Sequence, residues 1–405
     1  MEHYETDALT PAVKDTLLAL LRSSLWGQER FPFQPPQDIH WQAVYTELQH
    51  HTVQHLAVDL LAAIDSGNAL IYLKKLASNI RKWQKIMNNQ QVLVEILADA
   101  GIPCAVLKGA AAALYYPKPE YRCMGDIDLM VLPEDLDRTL ALLPEDWKMI
   151  GRNHRHVEFQ SNGVTLEVHH RFSSFRDPKL CRFLDERIYE GFPQVQTASL
   201  GKYAFPCLPR KINGLLLLTH INQHMEMGLG LRQIIDWMLF VDRELDEEFW
   251  KTEFAPAARY LGLEKLAITV TRMCQIYLGL RQDIIWCQDA DAALCEELMD
   301  HILYQGNFGR RTPKHFNTAV SVISAAKSVP SLFKALQRIG MQNWQAAQKH
   351  RILRPIAWLY QLFRFISKAF KKERPFRFLS QVIKTEKTQG SLLDRLEVSR
   401  MSNDH

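Results

Sequence analysis

The chain has 405 residues, 47% of them apolar and 23% charged, which predicts two or three domains with a substantial core and excludes wholesale disorder. The formal net charge is only +4, but residues 310–387 carry 17 Lys and Arg against two acids, Glu373 and Glu386, so the rest of the chain is net acidic. No apolar run reaches the ~18 residues of a spanning helix, seven cysteines without a CxxC pair read as reduced thiols in a cytoplasmic protein, and the acidic start MEHYETDALT is unlike an export leader.

Residues 8–100 read as helices. Leu17, Leu18, Leu20 and Leu21 share one apolar stretch, a Pro-rich break follows at 31–36, and Trp41, Val44, Tyr45 and Leu48 recur at helical spacing. The same period runs from 69 to 100 and stops at Gly101, with Pro103 just beyond. The pattern then changes. Residues 104–107 suit a buried strand, 110–116 an alanine-rich helix, 127–132 a second strand interrupted by acids, and 134–143 a helix. Residues 156–160 and 164–169 flank Ser161-Asn162-Gly163, which predicts a hairpin with a short Asn-Gly turn. From 210 onward the period is helical again, over 212–224, 231–243, 248–261, 264–278, 291–304 and 332–372, with fraying expected at 398–405. The expectation is a mostly helical α+β chain: an N-terminal helical region (1–100), an α/β core (101–209), a C-terminal helical domain (210–390) and a tail (391–405).

The sharpest local signal is Gly125-Asp126-Ile127-Asp128-Leu129-Met130-Val131. Residues two apart on a strand share a face, so Asp126 and Asp128 point at one spot. Two carboxylates side by side repel unless a cation sits between them, and hard oxygen ligands favour Mg²⁺ or Mn²⁺ with nucleotide phosphate. Lys108-Gly109 stands upstream at a strand-to-helix junction, where glycine lets a backbone approach a phosphate and the helix start offers free N–H groups. Glu167 on the second hairpin strand is a third carboxylate able to complete a two-metal site, or else an ordinary exposed strand residue.

At these residues the sequence resembles the uncharacterised bacterial nucleotidyltransferase family of the DNA polymerase β-like superfamily. The likeness is carried by Gly101-Ile102-Pro103, Val106-Leu107-Lys108-Gly109, Tyr116, Arg122, Asp126-Ile127-Asp128-Leu129 and Glu167-Val168-His169, with Trp41 and His51-Thr52-Val53 before them and His220, His224, Arg232 and Asp236 after. It implies a small mixed sheet carrying Asp126, Asp128 and Glu167 as metal ligands. It also implies transfer of a nucleoside monophosphate from an NTP with release of pyrophosphate. Where the superfamily has a glycine-serine turn, this chain has Lys108-Gly109, so the triphosphate falls to the Gly109 backbone, to the Lys108 ammonium, or to both.

Arg122 reads as a countercharge for the leaving pyrophosphate or as an ion-pair partner of Asp126 or Glu120. His169 shares a strand face with Glu167 and either orients a ligand or is structural, while His170 faces outward. His220 and His224 share a helix face but lack the glutamate of HExxH, Ile221 standing in its slot. Zinc is therefore not expected there, and the pair lines the nucleotide cleft or bonds a neighbouring helix. Arg232 and Asp236 form a helical ion pair, or Asp236 serves as base for the acceptor hydroxyl. The basic region 310–387 contains the amphipathic stretch 354–372 and suits RNA, a membrane surface or a phosphorylated substrate, or is a set of solvated helix faces. The expected function is metal-dependent nucleotidyl transfer to a small-molecule, protein or RNA hydroxyl. The alternative is a catalytically weak nucleotide-sensing or scaffolding module.

Overall fold

The computed structural model describes residues 9–172, 175–225, 227–310, 350–370 and 390–401, with isolated positions between 333 and 347. Four helices open the chain: α1 (Pro11–Trp26), α2 (Trp41–His50), α3 (Val58–Ile64) and α4 (Ala69–Asp99). The Thr10 hydroxyl accepts from the Val13 N–H, and Pro11 fills the first turn, where no donor is needed. Helix α4 ends at Gly101, whose φ of 66° takes the left-handed position that closes a helix.

The core follows as β1 (Cys104–Leu107), α5 (Gly109–Ala113), β2 (Asp126–Val131), α6 (Leu136–Leu142), β3 (Lys148–Arg152), β4 (His156–Ser161) and β5 (Val164–His169). The sheet is mixed, in the order β1-β2-β5-β4-β3. Strands β2 and β5 are parallel and the other pairs antiparallel. The hairpin between β4 and β5 turns on Asn162 (φ 48°) and Gly163 (φ 75°), both left-handed as a tight turn of this kind requires. Helix α7 (Pro178–Gly191) and the two-stranded ribbon β6 (Gln196–Leu200) and β7 (Tyr203–Cys207) complete this part.

Strand alternation gives the sheet two faces. Val106, Ile127, Leu129, Val131, Val157, Phe159, Leu166 and Val168 pack into one apolar cluster with Trp83, Ile86 and Leu97 of α4 and Phe205 of β7. Leu107 and Met130 face the other way, into a larger cluster built from the helices. Those helices are α1 to α3 together with α8 (Arg210–Met225), α9 (Leu231–Glu244), α10 (Glu247–Phe249), α11 (Ala255–Tyr260), α12 (Glu264–Tyr277) and α13 (Ala292–Gln305). Helix α14 (Ala357–Phe370) follows. Asp126, Asp128, Glu167 and His169 alternate with the first apolar set, so they lie on the face turned toward the helices.

The expected mostly helical α+β fold with a small mixed sheet is therefore what the chain adopts. Three details differ, and one expectation falls on residues that are not described. Strand β3, helix α7 and the β6–β7 ribbon carry no pattern that the sequence reading recognised. The helix expected over 248–261 is interrupted by a π-helical turn at Trp250–Phe254. Most of 310–387 lies outside the described residues, so the anionic partner expected there has no structural description. Finally, the end is not frayed as far as Met401: Leu392, Leu393, Leu396, Val398 and Met401 are buried in the helical cluster. Asn222 donates to the Ser399 carbonyl at 2.8 Å and Arg176 to that of Met401 at 2.9 Å. No helix among the described residues is long and apolar enough to cross a membrane.

Candidate active site

Register decides which side chains meet. In the parallel pair, Asp126 stands beside Thr165, Asp128 beside Glu167 and Met130 beside His169. In the antiparallel hairpin, Glu158 faces Glu167 and His156 faces His169. Leu107 opposes Asp128 from the other side, which sets the following residue, Lys108, above the acids. The sheet thus brings together Asp126, Asp128, Glu167, Lys108, His169 and His156.

The turn from β1 into α5 places its backbone strain on Lys108, at φ 43° and ψ −110°, a region an L side chain rarely takes outside functional sites. Gly109 itself is unstrained, and a Cβ there would meet only ordinary contacts, Met124 Cε at 3.4 Å and the Asp126 carbonyl at 3.7 Å. The unusual backbone conformation of this turn is thus carried by the lysine and not by the glycine. Its Nζ lies 2.8 Å from Asp128 Oδ1 and 5.6 Å from the centre of the Phe172 ring.

His169 Nε2 donates to Asp128 Oδ1 at 3.0 Å and to Glu167 Oε2 at 3.1 Å. Asp128 is only 4% exposed. Burial pushes its carboxyl up, yet the Lys108 ammonium and the His169 bond and charge outweigh that and hold it well below the usual carboxylate range. Asp126 lacks such contacts. Burial, then the charge of Asp128, pushes its carboxyl up to about 6. Glu167 is held low by the His169 bond and Lys108 against burial and Asp128. His169 is raised against burial by its two carboxylate bonds. Three carboxylates share one lysine and one imidazole, Asp126 is reluctant to ionise, and together they form a set of hard oxygen donors suited to a divalent cation.

The remaining candidates divide into two groups. Arg122 does not reach the acids. Its Nε and Nη2 donate to Asp236 Oδ1 at 2.8 Å and Oδ2 at 2.7 Å, and Tyr116 Oη donates to Oδ1 at 2.7 Å. Asp236 therefore pairs with Arg122 in the loop before β2 and not with Arg232 on its own helix, and Arg122 pairs with neither Asp126 nor Glu120. Arg232 donates to the Cys123 carbonyl at 3.1 Å, and its Nε is buried with no hydrogen-bond partner. Among the described residues no carboxylate lies within ion-pair distance of it. Burial, then the neighbouring Arg122, lowers its pKa, and Asp126 is among the anions it senses.

His220 and His224 meet each other, Nε2 to Nε2 at 2.9 Å, and the His224 ring packs edge-on against Phe308 at 4.7 Å. His220 is pushed far below its ordinary value by burial, then by His224 and Lys108, with Asp128 opposing. It therefore lies within electrostatic reach of the acids. His170 presents its carbonyl to Tyr189 Oη at 2.7 Å. His156 carries no functional signal of its own in the sequence. The Asn-Gly turn fixes the hairpin register, so counting back from His169 would have found it.

No curated protein matches the chain. A solved structure of an antigenic nucleotidyltransferase-like protein from Paracoccidioides brasiliensis is similar over 50% of this chain and 97% of its own, at 15% identity and a TM-score of 0.31, a likeness too slight to assign residues. The model of a family described as uncharacterised nucleotidyltransferase matches residues 37–279, which span every strand and site residue discussed above, and the chain belongs to that family.

Proposed function

We propose that this chain is a metal-dependent nucleotidyltransferase that moves a nucleoside monophosphate from an NTP to a hydroxyl acceptor. The observation that carries the reading is the alignment of Asp126, Asp128 and Glu167 on one sheet face, with Asp128 and Glu167 directly paired and Lys108 poised over them. Asp126, Asp128 and Glu167 would hold Mg²⁺ or Mn²⁺, which would supply charge neutralisation at the triphosphate.

The protein's own groups do the positioning. Lys108 leaves Asp128 for the β- and γ-phosphates as a mobile point charge, aided by the Gly109 N–H. Arg232, half-buried and without a carboxylate partner among the described residues, binds a second phosphate oxygen on the helical side. Glu167 accepts the acceptor's hydroxyl proton as the new P–O bond forms at the α-phosphorus and the bond to the bridging oxygen breaks, with pyrophosphate leaving in line. His220 and His224 line the acceptor side. Arg122 and Asp236 act by locking α9 to the loop before β2, so that Arg232 stays aimed at the acids. A basic segment at 310–387 suits an anionic acceptor, RNA among them.

Incubation with Mg²⁺, each α-labelled NTP and a lysate tests the reading. Label should appear on an acceptor with wild type and fall by at least about a hundredfold with Asp128→Ala. Equal labelling by the two proteins would defeat it. Tight NTP binding without pyrophosphate release for any acceptor would favour the sensing module.

A further inference from the structure

We propose that the site has a second, nitrogen-bearing metal position in which His156, His169 and Glu167 hold a first-row transition ion, with Zn²⁺ the best fit, beside the all-oxygen position of Asp126 and Asp128. Glu167 is shared between the two positions. The proposal takes the carboxylate site of the transferase reading as its neighbour but is tested separately from it.

Three observations carry it. His156, Glu167 and His169 each place a ligand atom so that all lie within 4.8 Å of one another, a span that one ion with bonds of ~2.0–2.2 Å can bridge after small side-chain adjustments. The grouping is built by backbone register, since His156 and His169 are direct partners across β4 and β5, with ring centres 4.8 Å apart. Both imidazoles are nearly fully buried, at 6% and 3% exposure, and the Nδ1 atom of each is buried without a hydrogen-bond partner. A purely structural buried histidine normally satisfies both ring nitrogens.

The chemistry of the set then selects the ion. Mg²⁺ prefers oxygen and keeps its water, whereas imidazole suits zinc and its neighbours in the first row. Two imidazoles and one carboxylate, with a fourth position open to water or a phosphate oxygen, are a familiar ligand set for zinc in catalytic sites. His169 Nε2 already sits between carboxylate oxygens of Asp128 and Glu167.

The experiment uses the full-length chain without nucleotide. Mn²⁺ is added and pulsed electron paramagnetic resonance reads ¹⁴N couplings from bound imidazole. Co²⁺ absorption and competition with Zn²⁺ then give affinities for wild type, His156→Gln and the exposed neighbour His154→Gln. Nitrogen coupling is expected in wild type. Zn²⁺ affinity should fall about tenfold or more in His156→Gln and stay unchanged in His154→Gln. Absence of nitrogen coupling in wild type, or equal zinc affinity in wild type and His156→Gln, overturns the proposal. Should His156→Gln fail to fold, the wild-type spectrum alone decides. Magnesium-supported label transfer without nitrogen coupling would end this inference and leave the transferase reading standing. Coupling without any transfer would do the reverse.

Discussion

Asp126 and Asp128 are chemically identical and separated by one residue, yet their surroundings drive them apart. Asp128 meets an ammonium and an imidazole, whereas Asp126 is half-buried beside a like charge. A carboxyl whose folded pKa, about 6, exceeds its unfolded value of 3.8 contributes stability that is complete below about pH 4 and lost as pH rises through about 6. Metal-free Asp126→Asn should therefore be more stable than wild type at pH 7.5, by on the order of 1 kcal/mol, and the two should converge near pH 4. Urea unfolding at both pH values checks this, and a difference that does not change with pH would contradict the assigned environment. The acids themselves were legible in the sequence because period-two spacing fixes a shared face. The partners of Arg122 and Asp236 were not, because 114 residues separate them and only the tertiary fold brings α9 to that loop.

Elements show the same division. The strands with a buried apolar face, β1, β2, β4 and β5, were readable within a residue or so. Strand β3 was not, because Lys148, Met149 and Ile150 are exposed on a sheet edge and carry no alternation. Beside the apolar packing of the sheet against the helices, the buried pair of Arg122 and Asp236, at 4% and 2% side-chain exposure, ties the loop before β2 to α9. Arg122→Ala should cost about 3–5 kcal/mol, because it strands a buried carboxylate, and Arg122→Met with Asp236→Leu should recover part of the loss. Denaturant midpoints of the two variants decide it, and a double variant no more stable than the single one would argue against a charge-driven penalty. Within the helical body, Gly214 of α8 lets α9 come close: a Cβ there would lie 2.5 Å from Phe240 Cε1 and 2.7 Å from Phe254 Cε2. Gly214→Ala, normally favourable inside a helix by up to about 1 kcal/mol, should instead destabilise by about 1–3 kcal/mol through overpacking. A thermal melt no lower than wild type would show that the rings can move aside.

At the scale of the whole molecule, the large apolar cluster draws on α1 near the start of the chain and on Leu396 and Met401 near its end. The sequence offered little warning of that closure, since a short polar-rich terminus has the composition of a loose end and its docking depends on a groove assembled by distant helices. Leu396→Ala should cost about 2–5 kcal/mol, measured by equilibrium unfolding, whereas a frayed terminus would leave stability unchanged. In the proposed reaction the helical body would contribute Arg232 and His220, both within electrostatic reach of the carboxylates of the sheet, to the space a triphosphate and its acceptor would occupy. The most direct test of that arrangement is to supply the same NTP labelled once at the α-phosphate and once at the γ-phosphate, with Mg²⁺ and with Mn²⁺. The account predicts that acceptor label comes only from the α-position while the γ-label leaves as pyrophosphate. Transfer of the γ-label, or of neither label under any metal, would contradict it.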